Sequence, residues 1–323
     1  MGPALRVLLT DAIAPAGEEL LARAAEVVRA PDSEPATIRR FARDADGVII
    51  RSKLPDDIFD AAPRLRAVVI HGTGTDLVPL ASATAHGVVV ANLPGINAQS
   101  VAEYCAMAML MLARNILSIV DSLKKEPWDD ARRLGAGAHE LAGMTLGIVG
   151  VGEIGRRLAK IARQGFGMRV LGNQRRLDRV PPDAQACGLE ELLSSSDFVV
   201  LACPLTPETR YLVNRDSIAR MKPSAWLINI GRGAVVQEEA LVEALREKRI
   251  AGAMLDVYEH YRLAPGNPLF ALDNVILTPH LAAVTKESRA RASVAAADEM
   301  LRILRGEHPR NLVNPEVLKK ELT

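Results

Sequence analysis

Short apolar runs alternate with amphipathic segments along the whole chain. RVLL (6–9), GVII (47–50), AVVI (67–70), VVVAN (88–92), LGIVG (146–150), RVLGN (169–173), FVVLAC (198–203), WLINI (226–230), AGAMLD (251–256) and NVILT (274–278) read as strands. Between many of them, segments such as EELLARAAEVV (18–28) and EEALVEALREK (238–248) place apolar residues three and four apart, as helices do. This alternation predicts βαβ units, with parallel sheets covered by helices on both faces. Ten strands suit two sheets better than one. The expected fold is therefore α/β, with two doubly wound, Rossmann-like parallel-sheet domains. A long apolar helix over about 98–122 separates the two strand sets, and a second long pattern, TKESRARASVAAADEMLRILRG (285–306), follows the last strand. The residues after it are too few to fold alone and should return to the first domain. The expected division is 1–96 plus 286–323 for a discontinuous domain, with 97–285 inserted, and a ligand cleft between the two.

Composition narrows the function. The 323 residues carry 40 Lys+Arg against 39 Asp+Glu, a net charge of +1, so no broad field favours nucleic acid or an anionic membrane. Aromatic residues make up 3%, so the core must be built from Ala, Leu, Val and Ile. Cys105, Cys187 and Cys203 are far apart and form no Cys/His cluster, which argues against a zinc site or a disulfide framework. The start, MGPALRVLLTD, lacks a signal-peptide core, and the most apolar stretch, YCAMAMLMLA (104–113), is shorter than the roughly 20 residues that span a bilayer. A cytoplasmic chain is expected.

The most informative segment is LGIVGVGEIGRRLAKIA (146–162). It reads as a strand, then Gly150-Val151-Gly152-Glu153-Ile154-Gly155, then an amphipathic helix. Gly150 permits the tight turn, Gly152 lets a pyrophosphate approach the backbone, and Gly155 lets helix and strand pack closely. The phosphates would sit on the helix N-terminus. Such a fingerprint usually ends with an acid at the tip of the next strand; here the tip reads Asn173-Gln174-Arg175-Arg176. A neutral amide followed by two guanidiniums suits a 2′-phosphate, so NADP(H) is expected in preference to NAD(H). The alternative is that both arginines are solvated surface charges.

LINIGRGAVV (227–236), AMLDVYEH (253–260) and VILTPHLAA (275–283), together with GVGEIG and NLPGINAQSVAEY (92–104), resemble the D-isomer-specific 2-hydroxyacid dehydrogenases, a group that includes phosphoglycerate, glycerate/hydroxypyruvate and formate dehydrogenases. The resemblance runs in order over about 45–315. It implies a flavodoxin-like substrate domain, an inserted cofactor domain, and hydride transfer between a nicotinamide and a small 2-oxo or 2-hydroxy acid of D configuration. His280 would be the acid–base group, which suits a side chain that titrates near neutrality. Arg232 would bind the substrate carboxylate and polarise the carbonyl. The resemblance places Cys203, Pro204, Thr209, Ile230 and Gly231 along the cofactor. It also puts Asp256 at the nicotinamide end or in support of the following helix, with a plain helix N-cap as the competing reading. Backbone amides of Gly72, Thr73 and Gly74 would grip the carboxylate, with Arg51 and Ser52 nearby.

One position departs from the family. A glutamate is expected five residues after Asp256, orienting the histidine; that position is Tyr261. A phenol can share one hydrogen bond with an imidazole but brings no charge near neutrality, so an imidazolium there loses an ion-pair partner. Tyr261 could act as a neutral partner, Glu259 could swing in, or the site could be weak. A nicotinamide-sensing, corepressor-like binding protein with little catalysis is therefore the alternative to an enzyme. After Leu312 only eleven residues remain, so the regulatory extension of longer phosphoglycerate dehydrogenases is not expected here, which weakens phosphoglycerate as the substrate without excluding it. A homodimer is expected, with the apolar helix 100–113 in the contact.

Overall fold

The structure is a computed structural model that describes residues 5–322, with side chains as far as Leu318; Met1–Ala4 and Thr323, which the expected boundaries include, lie outside the described residues. The chain forms two compact units, Met1–Asn97 with Val284–Thr323, and Ala98–Ala283.

In the first unit, β1 (Arg6–Leu9), β2 (Glu26–Arg29), β3 (Gly47–Ile50), β4 (Ala67–Ile70) and β5 (Val89–Ala91) form one sheet in the order β2-β1-β3-β4-β5. Every pairing is parallel. This is the flavodoxin-type order. GVII and AVVI are buried at every position, as strands covered on both faces must be. One apolar cluster fills the side of Ile38, Ile58 and Phe59, and another the side of Leu21, Ala296 and Met300. Helix Lys286–Leu304 belongs to this unit; the Ser293 hydroxyl accepts from the Ala14 amide at 2.8 Å.

In the second unit, β6 (Thr145–Val149), β7 (Arg169–Asn173), β8 (Gln185–Ala186), β9 (Phe198–Leu201), β10 (Trp226–Asn229), β11 (Gly252–Leu255) and β12 (Val275–Leu277) form a seven-stranded sheet in the order β12-β11-β10-β9-β6-β7-β8. All its pairings are parallel. The order reverses beside β6, the switch point at which doubly wound sheets bind ligands beyond the strands' carboxyl ends. Two clusters cover its faces, one around Leu227, Leu241 and Leu245, the other around Met109, Leu158 and Phe198.

Two local expectations are corrected. The helical pattern over 18–28 is split: helix Pro15–Ala22 stops, and Glu26–Arg29 becomes the edge strand β2. Once paired with β1, its two valines contribute to the sheet rather than to a helix face. The helix expected over 98–122 is two helices, Ala98–Ala113 and Ile116–Lys125, bent by 54°. Asn115 breaks them with a left-handed φ of 47°, a conformation open to Asn at low cost. The pair is jointly long and apolar, but most of the first helix is buried in the second unit's core, and no single helix among the described residues is long and apolar enough to cross a membrane.

Candidate active site

The chemistry-bearing residues of the second unit gather at one edge of its sheet. Parallel register aligns the strand ends: Val149 and Asn229 both pair with Leu201, Asn229 also pairs with Leu255, and Leu255 with Leu277. Gly150, Cys203, Gly231-Arg232, Asp256 and His280 therefore all emerge within a few residues of the carboxyl ends of β6, β9, β10, β11 and β12.

The glycine fingerprint has a distinct cause at each position. Gly150 lies at φ 94°, and a Cβ there would sit 2.6 Å from the Cys203 nitrogen. At Gly155 a Cβ would stand 2.7 Å from the Gly150 carbonyl oxygen, so helix Glu153–Lys160 can cross the strand end this closely only without a side chain. Gly152, the N-cap of that helix, has extended backbone, and no protein atom lies within 4 Å of where its Cβ would be. Packing does not demand glycine at 152. Close approach of a ligand phosphate to the helix's first amides does, so the residues present fit a dinucleotide.

At the tip of β7, Gln174 donates to the Arg176 carbonyl at 2.9 Å. Arg176 grips Asp178 with two nitrogens, at 3.1 and 2.9 Å, which holds the Asp178 carboxyl below its usual range. Arg175 is exposed and close enough to Glu208 to help lower that carboxyl, behind the larger effect of a hydrogen bond from Thr206. The Thr209 hydroxyl closes the turn after β9 by donating to the Pro204 carbonyl at 2.7 Å. Burial pushes the Cys203 thiol up to about 11, so it is a packed wall and not a nucleophile.

The loop after β10 is shaped by Asn229, which the sequence reading passed over. Buried at the last position of WLIN, it donates to the Arg232 carbonyl at 3.2 Å and accepts from the Gly231 amide at 3.1 Å. Its signal was a lone amide ending a buried apolar strand. Gly231 and Gly233 let the loop lie against its neighbours: Cβ atoms there would come within 2.8 Å of the Cys203 oxygen and 1.7 Å of the Tyr258 oxygen. The half-buried Arg232 guanidinium donates to the Gly231 carbonyl at 2.9 Å.

Asp256 is 1% exposed and holds the loop after β12. Its Oδ1 accepts from the Thr278 hydroxyl at 2.7 Å and the Leu281 amide at 2.8 Å, and its Oδ2 accepts from the Ala282 amide at 2.9 Å. No helix follows Asp256 directly, so the N-cap reading fails; the carboxylate anchors the segment that carries His280. That residue is exposed and takes a left-handed φ of 55°, a strained conformation for a side chain of its kind.

Tyr261 does reach His280, edge to face, with ring centroids 6.1 Å apart and planes at 72°. The phenol is 72% exposed, and no hydrogen bond joins the two rings among the described residues. Glu259 does not replace it. Its carboxylate accepts from the Tyr211 hydroxyl and from the Glu238 amide at 3.3 Å, while Glu238 accepts from the Glu259 amide at 3.2 Å.

In the first unit, the Gly72 amide donates to the Ile70 carbonyl at 2.7 Å. Thr73 is fixed by its hydroxyl on the Leu93 carbonyl, at 3.2 Å, and by Asn92 on its own carbonyl, at 2.8 Å. Arg51 donates to the Ala12 carbonyl at 3.1 Å, and Ser52 bonds Asp11. His71, which the sequence reading did not single out, meets Ser293 at 2.8 Å.

Comparison with known proteins agrees with this arrangement. The family model described as D-isomer specific 2-hydroxyacid dehydrogenase, NAD binding domain, matches residues 106–282. A glyoxylate reductase of Aeropyrum pernix is 38% identical over 329 residues, covering 97% of each chain. A D-3-phosphoglycerate dehydrogenase of Methanocaldococcus jannaschii is 37% identical over 98% of this chain, which spans 61% of that relative's length. The crystal structure of an NADPH-dependent glyoxylate/hydroxypyruvate reductase from Sinorhizobium meliloti, in complex with NADP and malonate, superposes with a TM-score of 0.84 at 30% identity, covering 98% of both chains. With the glycine fingerprint, the Gly231-Arg232 loop and His280 aligned on one sheet edge, the chain belongs to the D-isomer-specific 2-hydroxyacid dehydrogenases, nicotinamide-dependent oxidoreductases that transfer hydride between the cofactor and a 2-oxo or 2-hydroxy acid.

Proposed function

We propose that this chain is an NADPH-preferring reductase of small 2-oxo acids of the glyoxylate and hydroxypyruvate type. The observation that carries the reading is the convergence of Gly150–Gly155, Arg232, Asp256 and His280 at the carboxyl edge of one parallel sheet. The names of the Aeropyrum and Sinorhizobium relatives support the substrate class. Gln174, Arg175 and Arg176 support the 2′-phosphate, with Arg175 first, because Arg176 is already held by Asp178.

When bound, the reduced nicotinamide supplies hydride to the carbonyl carbon. Glu153, Ile154 and Gly155, at the start of their helix, would hold its phosphates, with Cys203, Pro204, Thr209, Ile230 and Gly231 shaping the wall beside it. Arg232 binds the substrate carboxylate and draws charge toward the carbonyl oxygen. His280 gives that oxygen its proton in reduction and takes it back in oxidation. Tyr261 packs against the imidazole as an uncharged neighbour where a carboxylate would pair with it. The protein works in the cytoplasm as a homodimer, whose contact is the exposed apolar face of Leu110, Ile116, Leu117, Val120 and Leu123 on the two bent helices.

The test is initial-rate oxidation of NADPH and NADH with glyoxylate, hydroxypyruvate, pyruvate and phenylpyruvate. Turnover with glyoxylate or hydroxypyruvate, and a kcat lowered by about 10²–10⁴ in His280→Ala, are expected. Tight NADPH binding without turnover of any of the four would leave a sensor instead. A loss of tenfold or less in the variant would remove His280 as the acid–base group.

A further inference from the structure

The loop that carries His280 is held by a chain of hydrogen bonds that begins on a different element. Tyr104 lies on helix Ala98–Ala113, is 8% exposed, and its hydroxyl meets the Thr278 hydroxyl. The donor inventory sets the direction of every link. Backbone amides can only donate, so both oxygens of Asp256 accept, from Leu281 and Ala282. The single Thr278 proton goes to Asp256 Oδ1 at 2.7 Å. Thr278 can then only accept from Tyr104, which must donate. The chain runs Tyr104 to Thr278 to Asp256, and Asp256 ties down the two residues after His280.

The backbone closes the same segment from the other side. The Thr278 carbonyl accepts from the Tyr258 hydroxyl at 2.7 Å and from the His280 amide at 3.0 Å. The Thr278 amide donates to Leu255 at 3.0 Å. Residues 278, 281 and 282 are thus each fixed, and His280, at φ 55°, is the strained residue between them. A left-handed histidine persists where its surroundings over-determine it. Linked hydroxyl and carboxylate bonds also strengthen one another, so the terminal phenol stiffens the whole chain.

We propose that Tyr104 is a positioning residue for His280, acting through Thr278 and Asp256; this rests on His280 being the acid–base group. Tyr104 touches neither substrate nor cofactor in this role. Its loss should lower the fraction of molecules whose imidazole stands where proton transfer needs it, without weakening NADPH binding.

The experiment uses the full chain with NADPH and the faster of glyoxylate and hydroxypyruvate. Y104F should lower kcat by about three- to tenfold, while the NADPH dissociation constant, the substrate KM and the melting temperature stay near those of the parent. T278V should show a similar or larger loss, and T278S, which restores the hydroxyl, should recover most of the rate. The Y104F/T278V double variant should be no slower than T278V, because both act through one chain. A kcat within twofold of the parent in Y104F, or losses that multiply in the double variant, would overturn the proposal. H280N separates the two readings: if it is inactive while Y104F is normal, only the Tyr104 proposal falls. If H280N is active, or the parent turns over neither acid, the acid–base assignment fails and takes this proposal with it.

Discussion

Acidification should destabilise the first unit through one half-buried histidine. His71 directly follows β4, and its Nε2 lies 2.8 Å from the Ser293 hydroxyl. Ser293 is fully buried, and its hydroxyl also reaches the Arg289 carbonyl at 2.7 Å; donating there, it accepts from Nε2. Burial, then the charge of Arg51 and, more weakly, that of Arg289, hold His71 down at about 4 from an ordinary value of 6.5; a backbone hydrogen bond and Asp11 offset this only in part. The folded unit therefore keeps His71 neutral where the unfolded chain takes up a proton, and stability must fall as pH drops from 6.5 toward 4. The loss specific to His71 grows as pH falls below 6.5 and levels off below 4 at about 3 kcal/mol. Urea unfolding at a series of pH values, followed in parent and in His71→Gln, measures it. Glutamine keeps a donor for Ser293 but does not titrate, and every other ionisable group cancels between the two proteins. Parent and variant curves that stay parallel to within about 0.5 kcal/mol from pH 7.5 to 4.5 would refute the reasoning.

Two further outcomes test the cofactor and assembly readings. Arg175→Ala should raise the NADPH KM by about tenfold and leave the NADH KM nearly unchanged, whereas Asp178→Ala, by releasing Arg176, should lower the NADPH KM; equal effects on both cofactors would show that this corner does not read the phosphate. Leu117→Glu with Val120→Glu, on an exposed apolar helix face, should convert a dimer to a monomer in light scattering behind size exclusion; a parent already monomeric at micromolar concentration would dismiss the interface.

The parallel sheets and the glycine fingerprint were legible because their physics is local. Fully apolar β-branched runs such as GVII and AVVI fit few settings other than a strand covered on both faces, and Gly150 and Gly155 stand where a Cβ would strike backbone. Edge strands were less legible. EVVR reads as the end of a helical pattern until pairing with β1 claims it, and Gln185–Ala186 is too short to leave a pattern. The break at Asn115 is a single backbone conformation inside an otherwise continuous apolar pattern.

Taken alone, the chain's order of residues determined the element types, the dinucleotide fingerprint and the identity of the groups able to do chemistry, since spacing and residue type suffice for those. Tertiary structure decided how the groups are used. It made Asp256 the anchor of the His280 loop, bonded the Gly72 amide to the Ile70 carbonyl, paired Arg176 with Asp178, and fixed Glu259 on Tyr211 instead of His280. Each outcome depends on which donor meets which acceptor across strands far apart in sequence, and that is set only when the sheets close.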